Sequence, residues 1–144
     1  MEKRVLNYGE FQLIISGKKP VNEHAYILMY GVDLPLLASR KLILARNGCE
    51  VNITCRFEDF ELSLRNRAAE LCILCHSLSG DQCMNAIGLI EELSPETRIL
   101  SLRSWMDEKK FTQSEHIEVL DTFMLPETLI QTVLNLTKQV IQSK

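Results

Sequence analysis

Apolar positions change their period along the chain. From Ala25 onward, apolar-rich runs alternate with stretches at helical spacing: AYILMY (Ala25 to Tyr30), Cys49 to Cys55, LCILC (Leu71 to Cys75), Arg98 to Leu102 and a short run near Ile117 to Leu120. Unbroken apolar runs belong to strands covered on both faces. Strand alternating with helix is the pattern of a parallel sheet wrapped by crossover helices.

Leu36 to Asn47 predicts the first helix, with Pro35 suited to its opening turn and Gly48 placed to end it in a left-handed conformation. Phe57, Phe60, Leu64 and Ala68 recur at helical spacing and predict an amphipathic helix. Asp81 to Leu93 predicts a third, with Cys83, Ala86, Ile87, Ile90 and Leu93 inward and Ser94-Pro95 as the stop. The last helix is expected from Pro126 to Gln142 with two apolar stripes, Leu129, Val133, Leu136 and Val140 beside Ile130, Leu134 and Ile141. That surface is wider than packing on a sheet requires, so it serves either core or a partner, self-association included.

Two stretches leave the alternation. WMDEKKFTQSEH (Trp105 to His116) has few apolar residues and no helical period, which predicts a short or missing helix between the fourth and fifth strands. Residues 1–24 precede the first strand; Phe11, Leu13 and Ile15 alternate there and Ser16 to Pro20 reads as a turn, so an added edge strand or an arm is expected. The domain proper is expected over residues 25–144.

Composition narrows the function. A formal charge of −3 over 144 residues, with basic residues scattered, gives no electropositive surface for nucleic acid or an anionic membrane. No apolar run approaches the roughly twenty residues that cross a bilayer, and the first residues lack a signal-peptide core. A cytoplasmic protein is expected, its five cysteines kept as thiols.

The segment LCILCHSLSG (Leu71 to Gly80) is a buried strand that ends abruptly in polar residues, the place where open α/β sheets carry their chemistry. Cys75 stands at that end. Cys72 and Cys75 form a CxxC, but residues three apart on a strand point to opposite faces, which opposes a shared metal. Cys75 beside His76 raises a thiol activity or a redox sensor, although neighbours at a strand end rarely face each other. The loop GVDLP (Gly31 to Pro35) lacks the glycine and hydroxyl series that cradles a phosphate, so no flavin or other cofactor is expected.

The phrases ILMYGVD, ILCHSLSG, LIEELSPETRILSL and LPETLIQTVL, set in five βα units, resemble the receiver domain of bacterial two-component response regulators over Ala25 to Lys144. The resemblance implies a flavodoxin-like (βα)5 fold with a doubly wound parallel sheet. It also implies a phosphorylation site whose members are replaced here. The Mg²⁺-binding acidic pair falls on Gly31 and Val32 with Asp33 adjacent, the phosphoacceptor on Cys75, the Thr or Ser on Arg103 and the Lys on Thr122. Phosphoryl transfer rests on metal positioning and stabilisation of spread negative charge, which these residues do not supply.

The reading is therefore a non-enzymatic, degenerate receiver-like module that works by protein contact without phosphorylation. Its contact residues are expected at Asp33, His76, Arg103 and Trp105, or on the last helix. An ion pair from Asp33 to Arg103 in the vacated metal site is expected to lock the domain in one state. Two alternatives stand beside it: a thiol-based sensor or activity at Cys75, and a working receiver that uses Asp33 or Asp81 as acceptor.

Overall fold

The computed structural model describes residues 24–103, 117–122 and 124–142, with the side chains of the last helix described to residue 137. In chain order the elements are β1 (Ala25–Tyr30), α1 (Leu34–Arg46), β2 (Cys49–Thr54), α2 (Phe57–Asn66), β3 (Leu71–Leu74), α3 (Gly80–Leu93), β4 (Arg98–Arg103), β5 (Ile117–Asp121) and α4 (Pro126–Gln142). The strands form one parallel sheet in the order β2-β1-β3-β4-β5. This is the doubly wound α/β architecture that the sequence predicts, with the order reversing between β1 and β3. The expectations for residues 1–23 and for the connection between β4 and β5 fall outside the described residues.

The unbroken apolar runs follow from burial on both faces of the sheet. Tyr26, Leu28 and Tyr30 of β1 pack with Cys72 and Leu74 of β3 against Phe60, Leu64, Ala86 and Ile90 of α2 and α3. Ile27 and Met29 pack with Ile73, Leu100 and Leu102 against Leu37 and Leu44 of α1 and Leu129 and Val133 of α4. Period-two alternation along each strand thus divides the core into an α2/α3 face and an α1/α4 face.

Helix ends are set by short polar contacts. Asp33 is the N-cap of α1, its carboxylate accepting from Leu36 N–H at 3.2 Å, so the helix opens at Leu34, two residues before the expected start. Gly48 follows α1 at φ 89°, the left-handed conformation expected of it. At α3, Ser79 Oγ accepts from Gln82 N–H while Gln82 Oε1 accepts from Ser79 N–H, a capping box that the sequence reading passed over. Ala68 lies beyond α2, which closes at Asn66 with Arg67 as its cap, so Ala68 is exposed and is not part of the buried stripe.

The double stripe on α4 resolves largely into core. Leu129, Val133 and Leu136 are buried, and Ile130 and Leu134 are half-buried against the same cluster. Less of α4 is left for a partner than its pattern suggests; Val140 and Ile141 lie outside the described side chains.

Candidate functional site

The C-terminal ends of β1, β3 and β5 converge with the first turns of α1. Parallel strands all end on this edge, so their following loops meet there. Gly31 leaves β1 with its N–H donated to the Thr54 carbonyl at 3.2 Å. Cys75 is the first residue past β3, its N–H donated to the Tyr30 carbonyl at 2.9 Å. Thr122 follows β5, its N–H donated to the Arg103 carbonyl at 2.9 Å.

Gly31 has no room for a side chain. A Cβ added there would lie 2.9 Å from Cys75 Cβ, 3.0 Å from Ser77 Oγ and 3.3 Å from Leu37 Cδ2. Ser77 Oγ also accepts from Val32 N–H at 2.9 Å, so the serine hydroxyl fills the space beside the end of β1. Val32 itself is 48% exposed.

A buried cation that the sequence reading missed stands next to this point. Arg40 projects inward from α1 and is 6% exposed. Its Nη2 donates to Thr122 Oγ1 at 3.1 Å and to the Thr122 carbonyl at 3.3 Å. Nη1 is buried with no hydrogen-bond partner among the described residues. Thr122 Oγ1 also bonds His76 Nδ1 at 2.9 Å, which ties Arg40 of α1 through Thr122 to the exposed imidazole after β3. The signal lay in spacing: Leu37, Arg40 and Leu44 are i, i+3 and i+7 on one helix face, and a cation on an inward stripe marks a buried polar contact.

Cys75 lies 4% exposed on the α1/α4 face, whereas Cys72 belongs to the α2/α3 face, so the CxxC sulfurs diverge as the strand period requires. Burial pushes the Cys75 thiol from an ordinary 9.0 up to about 11, against the opposing charge of Arg40, with the Asp33 carboxylate adding to the rise. A thiolate is the reactive species, so a thiol held protonated is inert near neutral pH. A folded pKa raised above the unfolded one stabilises the fold below the unfolded value, and that contribution is lost as pH rises from about 9 through 11. Expected accordingly is that iodoacetamide modifies Cys75 of the folded protein at least ~10-fold more slowly than exposed thiol at pH 8, read by peptide mass mapping. Rapid, selective Cys75 modification would instead favour a thiol function.

Arg103 and Asp33 do not form the expected ion pair. Alternation along β4 turns Ser101 and Arg103 to the α2/α3 face, where Arg103 Nη1 donates to Ser101 Oγ at 3.4 Å and its charge acts on the Cys83 thiol. Asp33 stands after β1, with β3 between it and β4, and its carboxylate caps α1. Strand parity and strand order thus separate the two groups, and Arg40 takes the place beside Thr122 from another element. Arg103 lines a cavity of about 230 Å³ with Cys75, His76, Ser79, Cys83 and Ser101, so it adjoins the strand-end site through Cys75 and His76 without meeting Asp33. Asp81 is exposed in the first turn of α3. Trp105 lies outside the described residues.

The fold and these positions bear on the Mg²⁺ that receivers hold. Where the resemblance places the acidic pair, one position is a glycine without space for a side chain and the next an exposed valine, while the adjacent Asp33 carboxylate is engaged as a helix cap. Mg²⁺ dehydrates reluctantly and is held by converging carboxylates, and a buried guanidinium alongside repels it. The residues present do not fit that ion.

Comparison with solved structures defines the class of fold. The signal receiver domain of an HD domain-containing protein from Pseudomonas fluorescens Pf-5 superposes with a TM-score of 0.74 at 14% identity, covering 89% of this chain and 97% of that one. A response regulator receiver domain protein from Clostridium thermocellum gives 0.72 at 16% identity over 83% and 99%. The CheY-like receiver domain protein from Methanospirillum hungatei JF-1 gives 0.70 at 15% identity over 84% and 99%. No family model and no curated protein matches the sequence. The chain therefore has the flavodoxin-like fold of response regulator receiver domains. Among the described residues, no helix is long and apolar enough to cross a membrane.

Proposed function

We propose that the chain is a receiver-type signalling module that acts through protein contact, without enzymatic activity and without phosphoryl transfer of its own. The observation that carries this reading is Arg40, a buried guanidinium fixed on Thr122 next to Cys75, where the resemblance calls for a lysine and a phosphoacceptor. A fixed internal cation does the charge-neutralising work that a receiver leaves to its metal and lysine, and it does so without a phosphoryl group. The hydrogen bonds from Arg40 through Thr122 to His76 join α1, β5 and the β3 loop, so these three elements are tied together at the strand ends.

Contacts at this end fall to Val32, Asp33 and His76, which are exposed, more than to the buried Arg103. Asp33 caps α1 and Asp81 sits on the outer first turn of α3, which argues against either as a displaced acceptor. The test is incubation with acetyl phosphate and excess Mg²⁺ followed by intact-mass analysis. No phosphoryl adduct is expected, and a Mg²⁺-dependent adduct that maps to one aspartate would overturn the reading.

A further inference from the structure

The outer face of α1 carries an apolar ridge between its exposed polar residues Ser39, Lys41 and Arg46. Leu34 and Leu42 are 51% and 52% exposed, and exposed Ala38 lies midway between them. The three residues are spaced i, i+4 and i+8, so they make one continuous ridge rather than scattered apolar positions. The inward face of the same helix is already satisfied by Leu37, Leu44 and Arg40, so the ridge is surplus to the core.

We propose that this ridge is a self-association face on which a second copy of the chain packs α1 against α1 about a two-fold axis at Ala38. Ridges of the i±4n type interdigitate at about −50°, with helix axes 8–10 Å apart. A small residue at the crossing point permits that approach, and Ala38 is the small residue. Rotation about the axis sets Leu34 of one copy against Leu42 of the other, a self-complementary arrangement.

The charges agree with the same geometry. Asp33 precedes the ridge at its start and Lys41 flanks it near its end, both exposed. Antiparallel packing brings Asp33 of each copy toward Lys41 of the other and opposes the two helix dipoles favourably. A parallel arrangement would set like charges together. This occupant is a second copy, distinct from any signalling partner, and its failure would leave the phosphorylation-independent reading untouched.

Sedimentation velocity of the full chain, from about 10 µM to about 1 mM, tests the face. One helix ridge is small beside standard interfaces, so a dimer with Kd on the order of 100 µM is expected. Leu42→Glu is expected to raise Kd by about thirtyfold, the effect of losing one buried anchor. Leu62→Glu, at an exposed leucine of α2, is the control and is expected to leave Kd unchanged. Circular dichroism of both variants checks folding. A wild-type chain monomeric throughout, or a dimer that survives Leu42→Glu in a folded variant, would overturn the proposal.

Discussion

A Gly31→Asp variant is expected to melt about 10 °C below the parent protein and to gain no affinity for Mg²⁺. The change restores on paper the first carboxylate of an acidic pair. The structure gives it nowhere to go, because a Cβ at residue 31 already meets Cys75 Cβ at 2.9 Å and Ser77 Oγ at 3.0 Å. Cys75 is held by the hydrogen bond of its N–H to Tyr30, and the Ser77 hydroxyl by Val32 N–H, so neither retreats without breaking a contact. Overpacking of this kind costs about 1–3 kcal/mol, and confining a carboxylate at a buried position adds to it. Gly31→Ala isolates the steric part and is expected to lose about 1–2 kcal/mol. Thermal melts of both variants with and without Mg²⁺ give the answer; a stable Gly31→Asp protein whose melting temperature rises with Mg²⁺ would mean that the pocket opens.

The second large effect is expected at Arg40. Arg40→Ala removes two charge-assisted hydrogen bonds to Thr122, leaves that carbonyl without its buried donor and opens a void between α1 and the strand ends. Against these losses stands one gain, the removal of a buried cation whose Nη1 has no hydrogen-bond partner among the described residues. The losses outweigh the gain, and a net destabilisation of about 2–3 kcal/mol is expected. Arg40→Met fills most of the volume without a charge, and a flexible thioether adapts to an irregular gap, so at least half of that loss should return. Denaturant unfolding of the pair separates packing from charge. Equal stability of wild type and Arg40→Ala would contradict the placement of the guanidinium.

The sheet was legible because each strand is buried on both faces, and two-sided burial writes itself into sequence as uninterrupted apolar residues such as Ile27 to Tyr30 and Leu71 to Leu74. The divergence of Cys72 and Cys75 followed from strand period alone. Helix starts are less legible: the resemblance sets Asp33 beside the metal-binding positions Gly31 and Val32, while its role as N-cap is written in the helix that begins one residue later. Both roles call for a carboxylate at that place, and only geometry separates them.

Arg40 and Arg103 show the limit from opposite sides. Arg103 drew attention because it ends a strand at a position that the resemblance marks, yet the alternation of β4 aims it at Ser101 and Cys83. Arg40 drew none because it sits among apolar residues on a helix, although a helix face that interposes a cation between Leu37 and Leu44 must give that charge a partner. The partner is Thr122, 82 residues further on, a pairing that no local pattern specifies.

The most direct test of a site closed by its own arginine is an amide NMR titration of the wild-type protein, first with Mg²⁺ and then with beryllofluoride, the mimic of a phosphorylated aspartate. The resonances of Gly31, Cys75 and Thr122 report on the three strand ends around Arg40. The account predicts that none of them shifts in a saturable manner with either addition. Saturable shifts at these three amides that need Mg²⁺ would show a working metal and phosphoryl site, and would contradict it.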